Sequence, residues 1–287
     1  MKHRIGSWLL SQTFQNSLLA APTRSIIRLV GGLYSFSPQF LAAMQVTARP
    51  HYAYCLLGAA DLARRLGIPR ISALEFGVAG GNGLSYMCDF AADVTRTTGV
   101  EIECYGFDTG EGMPPPDGAK DLPYWFRESQ YRMDQPRLRA RLPQAKLVIG
   151  NVRDTVASFV ADHNPAPIGF IVNDTDYWSS TADSLKLLDL ADANPGAFLP
   201  RIFNYFDDIV GTALEMYGPY NGQLSAIDEF NVSHPNAKVH RNENLMAMTH
   251  LHWRSQIYYT HLFSHPRYNE YIGNDQQLDL EAALKLK

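Results

Sequence analysis

Two groups of acidic residues in this 287-residue chain have the type and spacing for chemistry. Asp174-Thr175-Asp176 follows an apolar run that ends at Val172, and Asp207-Asp208 follows another that ends at Phe206. If the two runs are neighbouring strands, their tips lie ~5 Å apart and the acids converge. Like charges that close repel one another unless a cation or a proton offsets them. Asp174, Asp207 and Asp208 are oxygen donors with no Cys or His beside them, a set that suits a hard ion, Mg²⁺ most simply. The competing reading makes Asp174 or Asp176 the cap of a helix starting near Ser179 and leaves Asp207 and Asp208 in a solvated turn.

A second constellation is Glu75-Phe76-Gly77-Val78-Ala79-Gly80-Gly81-Asn82-Gly83, between a predicted strand and a predicted helix. Glycines there let the backbone approach a ligand at the carboxyl edge of a sheet, where open α/β folds bind. Ala79 takes the second glycine position of the dinucleotide pattern, which counts against NAD and an oxidoreductase. A turn that needs its glycines only for tight packing is the alternative. Asp108 ends the next predicted strand, where a carboxylate can take both hydroxyls of an adenosine ribose. Alone it would read as a cap or turn aspartate; with the glycine turn it points to a nucleoside site. Histidines gather late in the chain, His250 and His252 in a strand-like run and His261 and His265 beyond. No ligand spacing joins them, so they read as surface or pocket residues rather than a zinc site.

These residues need a frame. Short apolar runs alternate with helical patterns: strands over 71–76, 102–107, 146–149, 168–172 and 201–206, helices over 51–66, 84–94, 152–161, 184–190 and 225–232. Such alternation predicts an α/β fold with a parallel sheet covered on both faces. Residues 238–259 lack helical period and read as two strands that close the sheet antiparallel. Between about residues 7 and 44, with Pro22 and Pro38 as breakers, two or three short helices form a leader. It reads as a helical cap, with a docking helix as the sharper alternative. The loop from Thr109 to Pro123, rich in Gly and Pro, is long enough to be an active-site lid or a plain surface loop.

Composition narrows the class. A net charge of -4, with Lys and Arg scattered, gives no footprint for nucleic acid or an acidic membrane surface. No apolar stretch is long enough to span a membrane. Ser11, Gln12 and Thr13 break the early apolar run before it makes a signal peptide. Cys55, Cys88 and Cys104 each sit in apolar surroundings, as reduced thiols do, so the expected location is cytoplasmic.

With these residues in place, the chain resembles the macrocin O-methyltransferase family, class I S-adenosylmethionine-dependent enzymes that modify sugars in antibiotic pathways. The likeness spans roughly residues 50 to 235. It rests on the turn from Glu75 to Gly83, on Tyr105-Gly106-Phe107-Asp108-Thr109-Gly110-Glu111-Gly112-Met113-Pro114, and on Gly150-Asn151-Val152-Arg153-Asp154-Thr155. Asp174 through Thr181, the Asp207-Asp208 pair, and the run from Gly222-Gln223 to Phe230 complete it. The resemblance implies a Rossmann-like, seven-stranded, mostly parallel sheet flanked by helices, with an N-terminal helical cap. It implies an extension over residues 1–50, a methyltransferase domain over 51–265 and a tail over 266–287. Glu75, Gly77, Gly81 and Gly83 would hold the methionine end of S-adenosyl-L-methionine, Asp108 its ribose and Asn151 its adenine. Asp174, Asp207 and Asp208 would bind Mg²⁺, with Asp174 also the candidate base. The expected acceptor is a small molecule, a hydroxyl of a sugar or other vicinal diol, with no nucleic acid, no integral membrane contact and room for a homo-oligomer. A nucleotide-fold partner protein without catalysis is the alternative from another class.

Overall fold

A computed structural model describes residues 19–30, 36–247, 251–273 and 284. The expected helices before residue 19, His250 and most of the 266–287 tail lie outside those residues. The strands are β1 (Arg70–Phe76), β2 (Glu101–Asp108), β3 (Lys146–Ile149), β4 (Ile168–Asn173), β5 (Phe198–Phe206), β6 (Ala237–Arg241) and β7 (Ile257–Leu262). The helices are α1 (Ala20–Val30), α2 (Pro38–Ala43), α3 (Pro50–Arg65), α4 (Asn82–Thr98), α5 (Gln135–Arg141), α6 (Val152–Thr155), α7 (Phe159–His163), α8 (Trp178–Leu185), α9 (Gly222–Ser233) and α10 (Glu243–Met246).

The strands form one seven-stranded sheet in the order β3-β2-β1-β4-β5-β7-β6, in which only β7 runs against its neighbours. This is the Rossmann-like, mostly parallel α/β architecture expected. Period-two alternation divides the core between the two faces. Ile71 and Ala73 point into a cluster with α3 and α4. Leu74 and Phe76 join Tyr105, Phe107, Phe198 and Phe206 on the other face, beneath α8 and α9. Truncating one of these enclosed phenylalanines to Ala would cost ~3–5 kcal/mol. Chain order reverses between β1 and β4, so a crevice opens beyond their carboxyl ends, where doubly wound sheets bind ligands. At the opposite end of α3, Arg65 Nη1 donates to the Ile272 carbonyl at 2.9 Å, tying down the described part of the tail. Among the described residues no helix is long and apolar enough to cross a membrane.

Several local expectations need correction. The single helix over 152–161 is two short ones, α6 and α7. Thr155 Oγ1 donates back to the Asn151 carbonyl at 3.2 Å, competing with the ladder where α6 stops. The helix expected at Ser184 starts at Trp178 and tightens to 3₁₀ over Lys186–Leu190. Helix α5 was not expected; its signals are short, with Asp134 capping the Arg137 amide and Pro136 in the first turn. Between β6 and β7 the backbone forms α10 and a 3₁₀ turn over His252–Gln256 rather than continuous strand. Asn242 starts α10 by accepting from the Leu245 amide at 3.2 Å.

Candidate functional site

Three backbone hydrogen bonds carry the parallel ladder past the strand ends. Gly77 N donates to Phe107 O at 2.9 Å, Asp174 N to Phe76 O at 2.9 Å, and Asp207 N to Asn173 O at 3.0 Å. Gly77, Asp174 and Asp207 therefore stand side by side on the carboxyl edge of β1, β4 and β5. A cleft of about 450 Å³ opens over them, lined also by Val78, Asp108 and Asp208.

On the β1–β2 side the turn is built by its own hydrogen bonds. Asp108 Oδ2 accepts from the amides of Val78 at 3.0 Å and Ala79 at 2.9 Å, while Oδ1 accepts from Gly110 at 2.7 Å. The carboxylate thus fixes the glycine turn as well as facing the cleft. Gly77 has φ +85°, and a Cβ there would overlap the Asp174 carbonyl, so a glycine is required where the tips of β1 and β4 meet. A Cβ on Gly83 would overlap Glu75 Oε1. Gly81, at φ +79°, starts α4 with no side-chain cap.

Glu75 is 1% exposed, and its Oε2 has no hydrogen-bond partner; the buried hydroxyl of Tyr52 has none either. Burial raises the Glu75 carboxyl well above the usual range, and the charge of Asp174 adds to the shift. A ligand ammonium would answer a carboxylate and a hydroxyl left in this state, so the residues fit the methionine end of S-adenosylmethionine. Gly77, Asp108, Asp174, Asp207 and Asp208 line the cleft, whereas Glu75, Gly81, Gly83 and Asn151 are not part of its lining. Asn151 caps α6, its Oδ1 accepting from Arg153 N at 3.0 Å, and its neighbour Val152 supplies the wall.

On the β4–β5 side, one carboxylate oxygen from each of Asp174, Asp207 and Asp208 falls within 4.8 Å of the others. Burial raises the acids of Asp174 and Asp208 well above their usual range, and the neighbouring carboxylates push in the same direction. Asp176, at φ +58°, is raised to about 7, first by burial. None of the ion pairs among the described residues reaches the three clustered acids. A desolvated, unneutralised all-oxygen set fits Mg²⁺, with coordination positions left for water or hydroxyls.

The capping alternative does not describe these acids. Asp121, from the long loop, accepts from Ser179 N at 2.8 Å and Ser179 Oγ at 2.6 Å at the start of α8. Nor is Asp208 in a solvated turn, being only 8% exposed.

Partners that the sequence reading missed orient the acids. Tyr205 OH donates to Asp207 Oδ1, and Gln256 Nε2 donates to the Asp207 carbonyl at 2.7 Å. Gln223 Nε2 donates to Asp208 Oδ2 at 3.2 Å, and its Oε1 accepts from Asp208 N at 3.0 Å. Gln223 belongs to the run from Gly222 to Phe230, but nothing in the sequence marks a partner for its fully buried amide. The Gly- and Pro-rich loop supplies one wall through Met113 and Pro114, continued by Phe126 and Tyr131. Val210, Glu215 and Tyr217, from the segment after β5, form the other.

No protein-family model and no curated protein sequence matches the chain. Among solved structures it is similar to CalS11, a calicheamicin methyltransferase, at 18% identity and a TM-score of 0.52, over 85% of this chain and 93% of that one. The O-methyltransferase NovP aligns at 16% identity and a TM-score of 0.47, over 71% of this chain and 76% of that one. The likeness to CalS11 shows a shared Rossmann-like methyltransferase fold.

Proposed function

We propose that the protein is an S-adenosylmethionine-dependent, Mg²⁺-dependent O-methyltransferase that acts on a hydroxyl of a sugar or another vicinal-diol small molecule. The observation that carries this reading is a single one: a glycine turn locked by Asp108 and a cluster of three unneutralised carboxylates open on the same cleft. The fold shared with CalS11, a methyltransferase, agrees with it.

When bound, the cofactor supplies an electrophilic methyl group, and Mg²⁺ lowers the pKa of a hydroxyl it chelates. The chain's own residues do the rest by position. Asp108 holds the ribose while keeping the turn in shape, and Glu75 with Tyr52 receives the cofactor's ammonium. Asp174, Asp207 and Asp208 hold the ion, with Tyr205 and Gln223 setting the last two in orientation. Asp174 stands between the two halves and is the candidate to take the proton from the acceptor. Fixing both reactants on one rigid sheet edge converts the transfer to a near-unimolecular step.

The test is a methyl-transfer assay with and without EDTA, paired with melting curves in S-adenosylhomocysteine or NAD. Transfer that stops on chelation, with a melting temperature raised by S-adenosylhomocysteine alone, is the expected outcome. Full activity after exhaustive chelation would remove the ion, and a larger shift with NAD would remove the cofactor.

A further inference from the structure

Away from the cleft, the fold joins two histidines that no spacing in the sequence connects. Strand β6 is the edge of the sheet and pairs antiparallel with β7, with His240 opposite Tyr259 and Lys238 opposite His261. His240 and His261 are thus diagonal neighbours on one face, and their Nε2 atoms are 2.9 Å apart. His261 is also opposite Arg201, in the first half of β5, whereas the cleft opens beyond the end of that strand. The pair therefore stands ~20 Å from the carboxylate cluster by strand rise alone. The other nitrogen of each ring is held as well. His240 Nδ1 is 2.8 Å from the Arg241 carbonyl, which only accepts, so Nδ1 carries the proton and the Nε2 lone pair faces His261. His261 Nδ1 is 2.5 Å from the hydroxyl of Tyr268, in the tail after β7. Its neighbour Arg267 donates to the Leu66 carbonyl at the end of α3, so the tail is tied on both sides. Two other histidines have no such freedom. His265 engages the Pro195 carbonyl and the Arg267 amide, and His234 the Phe230 carbonyl and Asp189.

We propose that His240 and His261 form a two-imidazole site for Cu²⁺ or Ni²⁺, which fastens the β6 edge and the tail to β7. Imidazole nitrogens suit these ions, and water completes the coordination. Two nitrogens ~2.0–2.1 Å from a tetragonal centre and at right angles to each other are about 2.9 Å apart. Tetrahedral Zn²⁺ would spread them to about 3.3 Å, which favours the tetragonal ions. The rings need only swing until both Nε2 lone pairs meet at one point, and neither ring is buried. Without an ion, His261 Nε2–H donates to His240 Nε2 while the Tyr268 hydroxyl donates to His261 Nδ1. On binding, the His261 proton moves to Nδ1, Tyr268 turns from donor to acceptor, and the pair loses no proton. Each ring then donates its remaining N–H to a fixed oxygen, the support that orients metal-bound histidines. Burial first, then His240 and Arg201, lower the His261 acid below the usual histidine range, so this ring enters as a neutral ligand.

The experiment titrates the full chain with Cu²⁺ at neutral pH in saturating Mg²⁺, read by electron paramagnetic resonance. All samples carry His3→Ala, so that the first residues offer no competing imidazole. One equivalent should bind with hyperfine splitting from imidazole nitrogen, which the all-oxygen cluster of Asp174, Asp207 and Asp208 has no donor to produce. Ni²⁺ should compete for this site. His240→Asn and His261→Asn should each weaken binding by about a hundredfold, and Tyr268→Phe, which keeps both ligands, by about tenfold. The double histidine variant should be little worse than either single one, because one loss already breaks the chelate. Ni²⁺ should raise the melting temperature of the parent and of neither single variant. Far-UV circular dichroism checks that the variants fold, and the parent's copper spectrum decides the question even where one does not. Bound copper without nitrogen splitting overturns the site, as does an affinity unchanged in both folded single variants. Methyl transfer should be unaffected by either substitution, so the site stands or falls separately from that reading.

Discussion

On the glycine-turn side of the cleft the polar groups facing it answer one another, while across from them, at the tips of β4 and β5, they do not. Asp108 is half-buried and takes three backbone amides, so its charge is matched before any ligand arrives. Asp174, Asp207 and Asp208 converge at the strand tips, and no ion pair among the described residues reaches them. Their hydrogen bonds from Tyr205 and Gln223 orient the acids without neutralising the group. On the glycine-turn side Asp108 is preorganised by its donors, while the buried Glu75 keeps an unpartnered oxygen. The second half holds mutual repulsion that a cation or protons would relieve, which is the ground for the proposed ion site.

The sharpest way to break the contrast is to neutralise the strained half alone. Asp207→Asn with Asp208→Asn keeps size and hydrogen-bonding capacity, so the fold should survive. Methyl transfer should fall roughly a hundredfold or more, since even partners behind metal ligands cost ten- to a hundredfold. S-adenosylhomocysteine titration should give an affinity close to wild type, because the ribose and ammonium contacts lie elsewhere. A double variant that loses cofactor binding together with activity would mean the halves are not separable.

Attacking the matched half should give the converse. Asp108→Ala removes a charge-assisted contact to the ribose and the three amides' acceptor, so cofactor affinity should drop between about tenfold and a hundredfold. The apparent Mg²⁺ requirement should stay the same. Unchanged cofactor affinity in a folded variant would leave Asp108 a structural tie for the turn and nothing more.

A finer cut tests orientation rather than charge. Gln223→Leu keeps volume but leaves Asp208 without its side-chain donor and the Asp208 amide without its acceptor. The Mg²⁺ concentration for half-maximal activity should rise by about tenfold, with cofactor affinity unmoved. Gln223→Glu, which still accepts from the amide but adds a negative charge beside Asp208, should not restore it. If Gln223→Leu shifts only the melting temperature, Gln223 is packing.

How far all this could be read in the sequence depended on how local each signal is. Strands β1, β2 and β4 declare themselves as short, largely apolar runs bounded by turn residues, and the glycine turn follows β1 directly. The carboxylate cluster was legible only because Asp174 and Asp207 each come directly after a strand, so one assumption about strand adjacency joined them. Gly77 was assigned to a ligand, yet its Cβ is excluded by the Asp174 carbonyl, a contact set by register between two strands distant in sequence. Asp121 capping α8, Gln256 on the Asp207 carbonyl and Tyr205 on its carboxylate are likewise long-range or alternate-face contacts that no spacing encodes. Helix α5 was missed because seven residues of Arg-rich sequence have too little apolar period to stand out.

The smallest expected effect concerns proton uptake by the strained half. Asp176 titrates near 3.8 when exposed and is raised to about 7 in the fold, and burial raises Asp174 and Asp208 in the same direction. A carboxyl raised by folding binds more protons in the native state than in the unfolded chain throughout that interval. The contribution of Asp176 to the stability of the ion-free protein should then fall as pH climbs from 3.8 towards about 7, with Asp174 and Asp208 acting in the same direction. Mg²⁺ held by Asp174, Asp207 and Asp208 would compete with protons on Asp174 and Asp208, so its stabilisation should grow as pH rises and protons leave. For a chain of this size each kcal/mol moves the melting temperature by about 2–4 °C, so a shift of a few degrees is expected. Scanning calorimetry across the window, with Mg²⁺ or EDTA, measures the difference directly. The Asp207→Asn, Asp208→Asn variant should lose the Mg²⁺ response while keeping the part of the pH dependence that burial of Asp176 causes. A Mg²⁺ shift of equal size at both ends of the window would mean that protons and the ion do not share these carboxylates, and the two halves of the cleft would then be equally relaxed.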